Sequence, residues 1–339
     1  MSSLQLFWFV LIGILFGGFF FLEGFDFGVG MSVQTLAFNE KEKDQAIATI
    51  GPVWDGNEVW LITAGGAMFA SFPFWYASLF SGYYLILLLI LVGLIIRGVS
   101  FEFRHHMPED KRWIWNWTLS IGSFIVPFFF GVLFTSLVKG MPIDANGDMS
   151  ARFTDYINPF SIVGGIAVVL LSYLHGMNYL SLKTTGPIRT RARNYAQALY
   201  WAAYAGLALF AILLYFNTDF FEKSPVTTIV FLVLMVVLTV VANLALYKQK
   251  EKTAFLASGL TLVSLVALLF TGLFPRLMIS SIKPEYDLLI ENASSTPYTL
   301  KIMSFVAIGL LPFVLGYTGW SYYIFRKRIK HTDAAGYEG

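Results

Sequence analysis

Eight apolar runs of about twenty residues each constrain this chain more than anything else in it. They cover roughly 4–25, 76–96, 114–138, 160–181, 195–215, 226–247, 254–274 and 302–325, and about 20 apolar residues is what a helix needs to cross a bilayer. With 57% hydrophobic and 13% charged residues among 339, against about 25% charged in a soluble domain, the chain reads as an all-α polytopic membrane protein. The connections are short, so neighbours should be antiparallel, and two four-helix bundles are the expected grouping. Residues 1–325 form one integral membrane domain in this reading. Residues 326–339 form a basic cytoplasmic tail, with "HTDAAGYEG" expected to be disordered.

Orientation follows from Lys and Arg. With the N-terminus inside, the inner loops hold Arg97, Arg104, Lys111 and Arg112, then the cations of 183–193, of 248–252 and of the tail. The outer loops hold Lys41, Lys43, Lys139, Arg152, Lys223, Arg276, Lys283 and Lys301. Both termini are then cytoplasmic. A further crossing at 51–72 conflicts with this alternation, so that segment is expected to be re-entrant or to lie against the bundle, broken at Pro73. The N-terminus lacks a basic region ahead of its first apolar run, which marks a retained span rather than a cleaved signal peptide.

The chain contains no cysteine, which removes disulfides, thiolate metal sites and C-x-x-C-H haem attachment. Of four histidines only His175 lies within a span. It could serve as an axial haem ligand, but a hydrogen-bonded histidine inside a bundle is the plainer reading, since no second span histidine completes a bis-histidine site. "DANGD" at 144–148 lacks the later ligands of a calcium loop and reads as a turn.

Four carboxylates stand apart from the solvated ones. Glu23 and Asp26 in "FFFLEGFDFGVGM", and Asp55 and Glu58 in "WDGNEVW", are each three residues apart, so on a helix each pair shares a face. Like charges that close do not both ionise cheaply, which makes each pair a place to hold and pass a proton. The competing reading is that they cap or hydrogen-bond helix ends. Gly24, Gly28, Gly30 and Gly56 fit either, by permitting turns or close approach. Residue chemistry alone leaves two classes open: a transporter with intramembrane carboxylates, and a subunit of a larger redox complex.

The motifs favour the second. "EGFDFGVGM" (23–31), "GPVWDGNEVWLITAGGAMFASFPFWYASLFSGYY" (51–84), "GVLFTSLVKGMP" (131–142), "RTRA" (189–192), "LFPRLMISS" (273–281) and "NASSTPYTLKIM" (292–303) together resemble subunit II of the cytochrome bd-type quinol oxidases of bacteria. The resemblance implies a multi-pass subunit of the bacterial cell membrane. Its complex would take electrons from quinol, reduce dioxygen to water, and separate charge without pumping protons. It implies two b haems and one d haem ligated by a partner, subunit I, and none by this chain. A structural quinone here and a small single-span accessory subunit are compatible with it, and no nucleic acid is involved. Asp55 and Asp26 match the family's membrane acids on the proton path, with Glu23 and Glu58 in the same segments. Trp54, Gly56, Asn57, Trp60 and Gly28 are motif residues of expected structural role.

Overall fold

A computed structural model describes residues 1–330; the expected disordered tail at 331–339 lies outside them. The described chain forms α1 (Ser3–Ser32), α2 (Glu40–Ala48), α3 (Trp54–Ser71), α4 (Pro73–Gly82), α5 (Tyr84–His106), α6 (Arg112–Lys139), α7 (Phe153–Tyr156), α8 (Pro159–Lys183), α9 (Pro187–Asn217), α10 (Phe220–Lys223), α11 (Pro225–Tyr247) and α12 (Glu251–Leu273). Two short antiparallel strands come next, β1 (Arg276–Met278) and β2 (Leu288–Leu289), then α13 (Ile290–Ala293) and α14 (Pro297–Ile324). Eight of these helices, α1, α5, α6, α8, α9, α11, α12 and α14, are long and apolar enough to cross a membrane, as the sequence predicts.

α8, α9, α11 and α12 pack in a closed ring, and α1 lies beside it against α8, α12, α6 and α3. Within lipid no hydrophobic force draws helices together, so close backbone approach has to supply the attraction. Gly28 of α1 and Gly176 of α8 do this: a Cβ on either would overlap the other's backbone. α14 is the outlier, touching only α1 and α3 closely, with most of its apolar side chains exposed.

Two boundaries differ from expectation. The span placed at 76–96 begins inside α4, and its helix proper, α5, runs from Tyr84 past Arg97 to His106. The break falls at Tyr83, whose hydroxyl bonds Ser136 at 3.0 Å, while Tyr156 donates to the Gly82 carbonyl at 2.5 Å. Pro73 does open a new helix after the turn at Phe72.

α3 lies against the bundle, antiparallel to α1. At one end Asn57 meets Leu22 and Asp26. At the other, Ser295 bonds the carbonyls of Ser71 and Ala70, beside the Gln5–Ser294 contact. Its 18 residues span about 27 Å at 1.5 Å each, so α3 traverses the same depth as its neighbours. Met1 and the last described residues therefore lie at opposite ends of the bundle. Met1 pairs with Glu291 at one end of the bundle, whereas Ile329 bonds Lys183 and Gln45 at the other. A traverse by α3 reverses the side of the segments ahead of it and leaves those behind it in register with one another. The basic clusters therefore stay together, and Lys41 and Lys43 join them.

That basic end is tied by ion pairs. Arg104 is buried and binds Glu40 at 2.9 Å and Asp44 of α2. Burial opposes ionisation of Glu40, yet Lys43, Asn116 and Arg104 together hold its carboxyl below the ordinary range. At the opposite end Arg276 grips Asp219 through two hydrogen bonds of 2.7 and 2.9 Å. Burial pulls the other way there too, but Arg276 and Lys223 bring the Asp219 carboxyl down to about 2. The 144–148 segment is a turn, with Asp144 accepting from the backbone of Asn146 and Asp148.

Topology reporters fused ahead of Met1 and after Lys330 should signal opposite sides of the membrane. The same sign at both positions would refute the traverse by α3.

Candidate functional site

The helical periodicity of "LEGFDFG" turns Glu23 and Asp26 to the same interior side of α1, and both are fully buried. Opposite them α5 presents Arg97, also fully buried, which binds Glu23 and reaches Glu58 of α3 at 3.0 Å. Phe27 and Phe101 flank the guanidinium with ring centres 4.9 and 5.6 Å away, a contact that favours a desolvated cation. Asp26 takes a 2.6 Å hydrogen bond from Asn57, whose carbonyl accepts from Tyr322 of α14 at 2.8 Å. Two carboxylates, Glu23 and Glu58, thus meet one guanidinium, with the carboxyl of Asp26 buried beside them. Neutrality of the cluster needs protons as well as Arg97, because a bare buried charge costs several kcal/mol, roughly.

The sequence pairs fare differently. Glu23 and Asp26 do share the buried face. Asp55 and Glu58 part company: Glu58, 23% exposed, turns inward to Arg97, while Asp55 is exposed. It lines a groove of about 690 Å³ between α1, α3 and α14, along with Gly56, Asn57, Tyr317 and Tyr322. Asp55 makes no side-chain cap; the cap position of α3 is Val53, which offers none. The motif tryptophans pack. Trp54 stacks on Phe101 at 4.8 Å, and Trp60 covers Gly18, where a Cβ would collide with its ring.

Sequence reasoning misses Arg97 and Tyr322 as members of the site. Charge alternation assigns Arg97 to an inner loop, although its place within "LVGLIIRGVSF" and seven residues before Arg104 puts both arginines on one face of a helix. Tyr322 carries no such signal. His175 commits Nδ1 to Ser258 at 2.8 Å and Nε2 to the Phe21 carbonyl at 2.9 Å, and stacks on Phe255. Both ring nitrogens are occupied by protein, so the hydrogen-bonded reading of this histidine is the one observed.

A profile of the family described as "Cytochrome bd terminal oxidase subunit II" matches residues 4–325. The chain belongs to that family. It is 47% identical to the cytochrome bd ubiquinol oxidase subunit 2 of Bacillus subtilis (strain 168), over 99% of this chain and all of that one. To the cytochrome bd-I ubiquinol oxidase subunit 2 of Escherichia coli (strain K12) it is 33% identical, covering 97% and 96%. The fold resembles a chain of the bd oxidase from Geobacillus thermodenitrificans, with a TM-score of 0.71 at 18% identity over 95% of this chain and 99% of that one. The chain is thus a multi-pass membrane subunit of a cytochrome bd-type quinol oxidase, an oxidoreductase complex of electron transport, and membership in the subunit II family implies a partner subunit I.

In such a subunit the Arg97 cluster is structurally exacting. Arg97→Met leaves Glu23 buried beside nothing that balances it, which should destabilise by about 3–5 kcal/mol. Arg97→Met combined with Glu23→Met should regain much of that, as read from thermal unfolding of the purified complex.

Proposed function

We propose that this subunit supports the haem-bearing subunit I and carries part of the proton path in a complex that reduces dioxygen to water with quinol. The observation that carries this reading is the graded placement of carboxylates: Asp55 exposed on the groove, Glu58 partly exposed on the next turn, Glu23 and Asp26 fully buried around Arg97. Such a series can hand a proton from a wet surface into the interior, with Arg97 keeping the charge tolerable as protons move. Each step moves a proton between carboxyl oxygens or by way of water, and needs no redox change in this chain. Haems, when bound, supply the electron transfer and the site of dioxygen reduction. Their place in the partner agrees with the engagement of His175 by Ser258 and Phe21.

The end carrying Lys41, Lys43, Arg104, Arg112 and the cations of 183–193, 248–252 and 326–330 faces the cytoplasm, by the positive-inside rule. The opposite end has only Lys139, Arg152, Lys223, Arg276, Lys283 and Lys301. The C-terminal end is then cytoplasmic, Met1 lies outside, and Asp55, Glu58 and the buried acids sit toward the side from which protons for water are drawn in the bacterial cell membrane.

Asp55→Asn and Asp26→Asn should each preserve haem in the complex and lower quinol oxidase turnover per haem, by about 10²–10⁴ for a positioned acid or base. Asp55→Glu should recover part of it. Wild-type turnover per haem in both Asn variants would sink the proton-path reading.

A further inference from the structure

The amide of Asn57 is fixed from three directions. Its Nδ2 donates to Asp26 Oδ2 at 2.6 Å and to the Leu22 carbonyl at 3.4 Å, and its Oδ1 accepts from the Tyr322 hydroxyl at 2.8 Å. A flipped amide would set its oxygen against a carboxylate and a carbonyl, both acceptors, and only the hydroxyl could adapt. Leu22 and Asp26 therefore select the orientation in which Asn57 donates, and the Tyr322 hydroxyl, donating to Oδ1, holds the amide in place. Asp26 Oδ2 is thereby committed, while Asp26 Oδ1, equally buried, has no N–H or hydroxyl donor among the described residues, and the Glu23 carboxyl, within hydrogen-bond reach of Asp26, is the neighbour with which it can share a proton.

We propose that Asn57 and Tyr322 are positioning residues that occupy Oδ2 of Asp26 and so leave Oδ1 as the oxygen on which the proton is carried. This rests on the reading of Asp26 as a proton-handling carboxylate. The proton adds to Oδ1 as an O–H bond and leaves from it, while the Asn57 hydrogen bond stays made throughout. Asn57 does not itself titrate. It links the buried acid to the groove, because Asn57 and Tyr322 both line that space. The titratable groups facing Asp26 are Glu23 on its own helix, Glu58 from α3, Arg97 from α5, Tyr179 from α8 and Tyr322 from α14. Of these, Tyr322 alone reaches Asp26 through a neutral amide, so its removal changes no formal charge near the acid.

The test uses the intact oxidase complex with Tyr322→Phe, Asn57→Leu and Asp26→Asn. It measures haem content, turnover per haem across pH, and the infrared C=O stretch of the protonated carboxyl, assigned to Asp26 by its loss in Asp26→Asn. Tyr322→Phe should keep its haem and lower turnover per haem roughly threefold to tenfold, the scale of one hydrogen bond. The pH profile should move to higher pH and the carboxyl stretch should shift, since an Asn57 amide no longer held by the hydroxyl donates less well to Asp26, and a carboxylate with a weakened donor is favoured in its protonated form. Asn57→Leu should move both further in the same direction. If the stretch and profile stay at their wild-type positions in Tyr322→Phe and Asn57→Leu while Asp26→Asn abolishes turnover, the positioning role is wrong and the proton path stands. Wild-type turnover in Asp26→Asn would overturn both. Should one of the two positioning variants fail to assemble, the stretch in the other decides.

Discussion

The buried ion pair between Arg97 and Glu23 is the interaction on which the rest of this arrangement depends. Neither group is exposed, and taking each ion out of water costs several kcal/mol, roughly, before their attraction is counted. The pair is tolerable only because helices arrive from three directions to enclose it: α1 with Glu23, α5 with Arg97 between two phenylalanine rings, and α3 with Glu58. This explains why α3, with Asp55, Asn57 and Glu58 in its first two turns, is held within the bundle's depth. Its polar residues have partners there that lipid would not offer.

Packing elsewhere serves that meeting point. The Gly28–Gly176 contact draws α1 onto α8 a little over one turn beyond Glu23, and Phe25 stacks on Tyr179 at 4.0 Å on the same stretch. The acidic end of α1 is thus clamped from the ring side, while α3 and α5 close it from the other. α14 is different in kind. It is weakly packed, yet Tyr322 reaches back through Asn57 to the buried acid, so the position of a loosely held helix is coupled to the hydrogen bonding of Asp26. The same helix walls the groove onto which Asp55 opens.

Hydrophobic length and helical spacing make much of this legible in advance: the eight spans, the break at Pro73, the shared face of Glu23 and Asp26, and the segments that carry the family resemblance. Those features are local, since a 20-residue apolar run or an i, i+3 spacing means the same in any context. Topology at the N-terminus is misread from sequence because charge tallies weigh only loops. A half-polar helix such as α3 looks like a poor span until its partners are known, and Arg97 looks like a loop cation until Glu23 and Glu58 are seen around it.

By itself the sequence determined that this is an all-α membrane protein, where its long apolar helices lie, which carboxylates stand inside or beside apolar segments, and to which family it belongs. Only the tertiary structure decided which of those carboxylates meet. Asp55 and Glu58 are only three residues apart on one helix, yet one faces the groove and the other the guanidinium, because α3 sits on the seam between them. Spacing along a helix gives the angle between two side chains; what lies in each direction is set by neighbours hundreds of residues away, as Tyr322 is from Asn57.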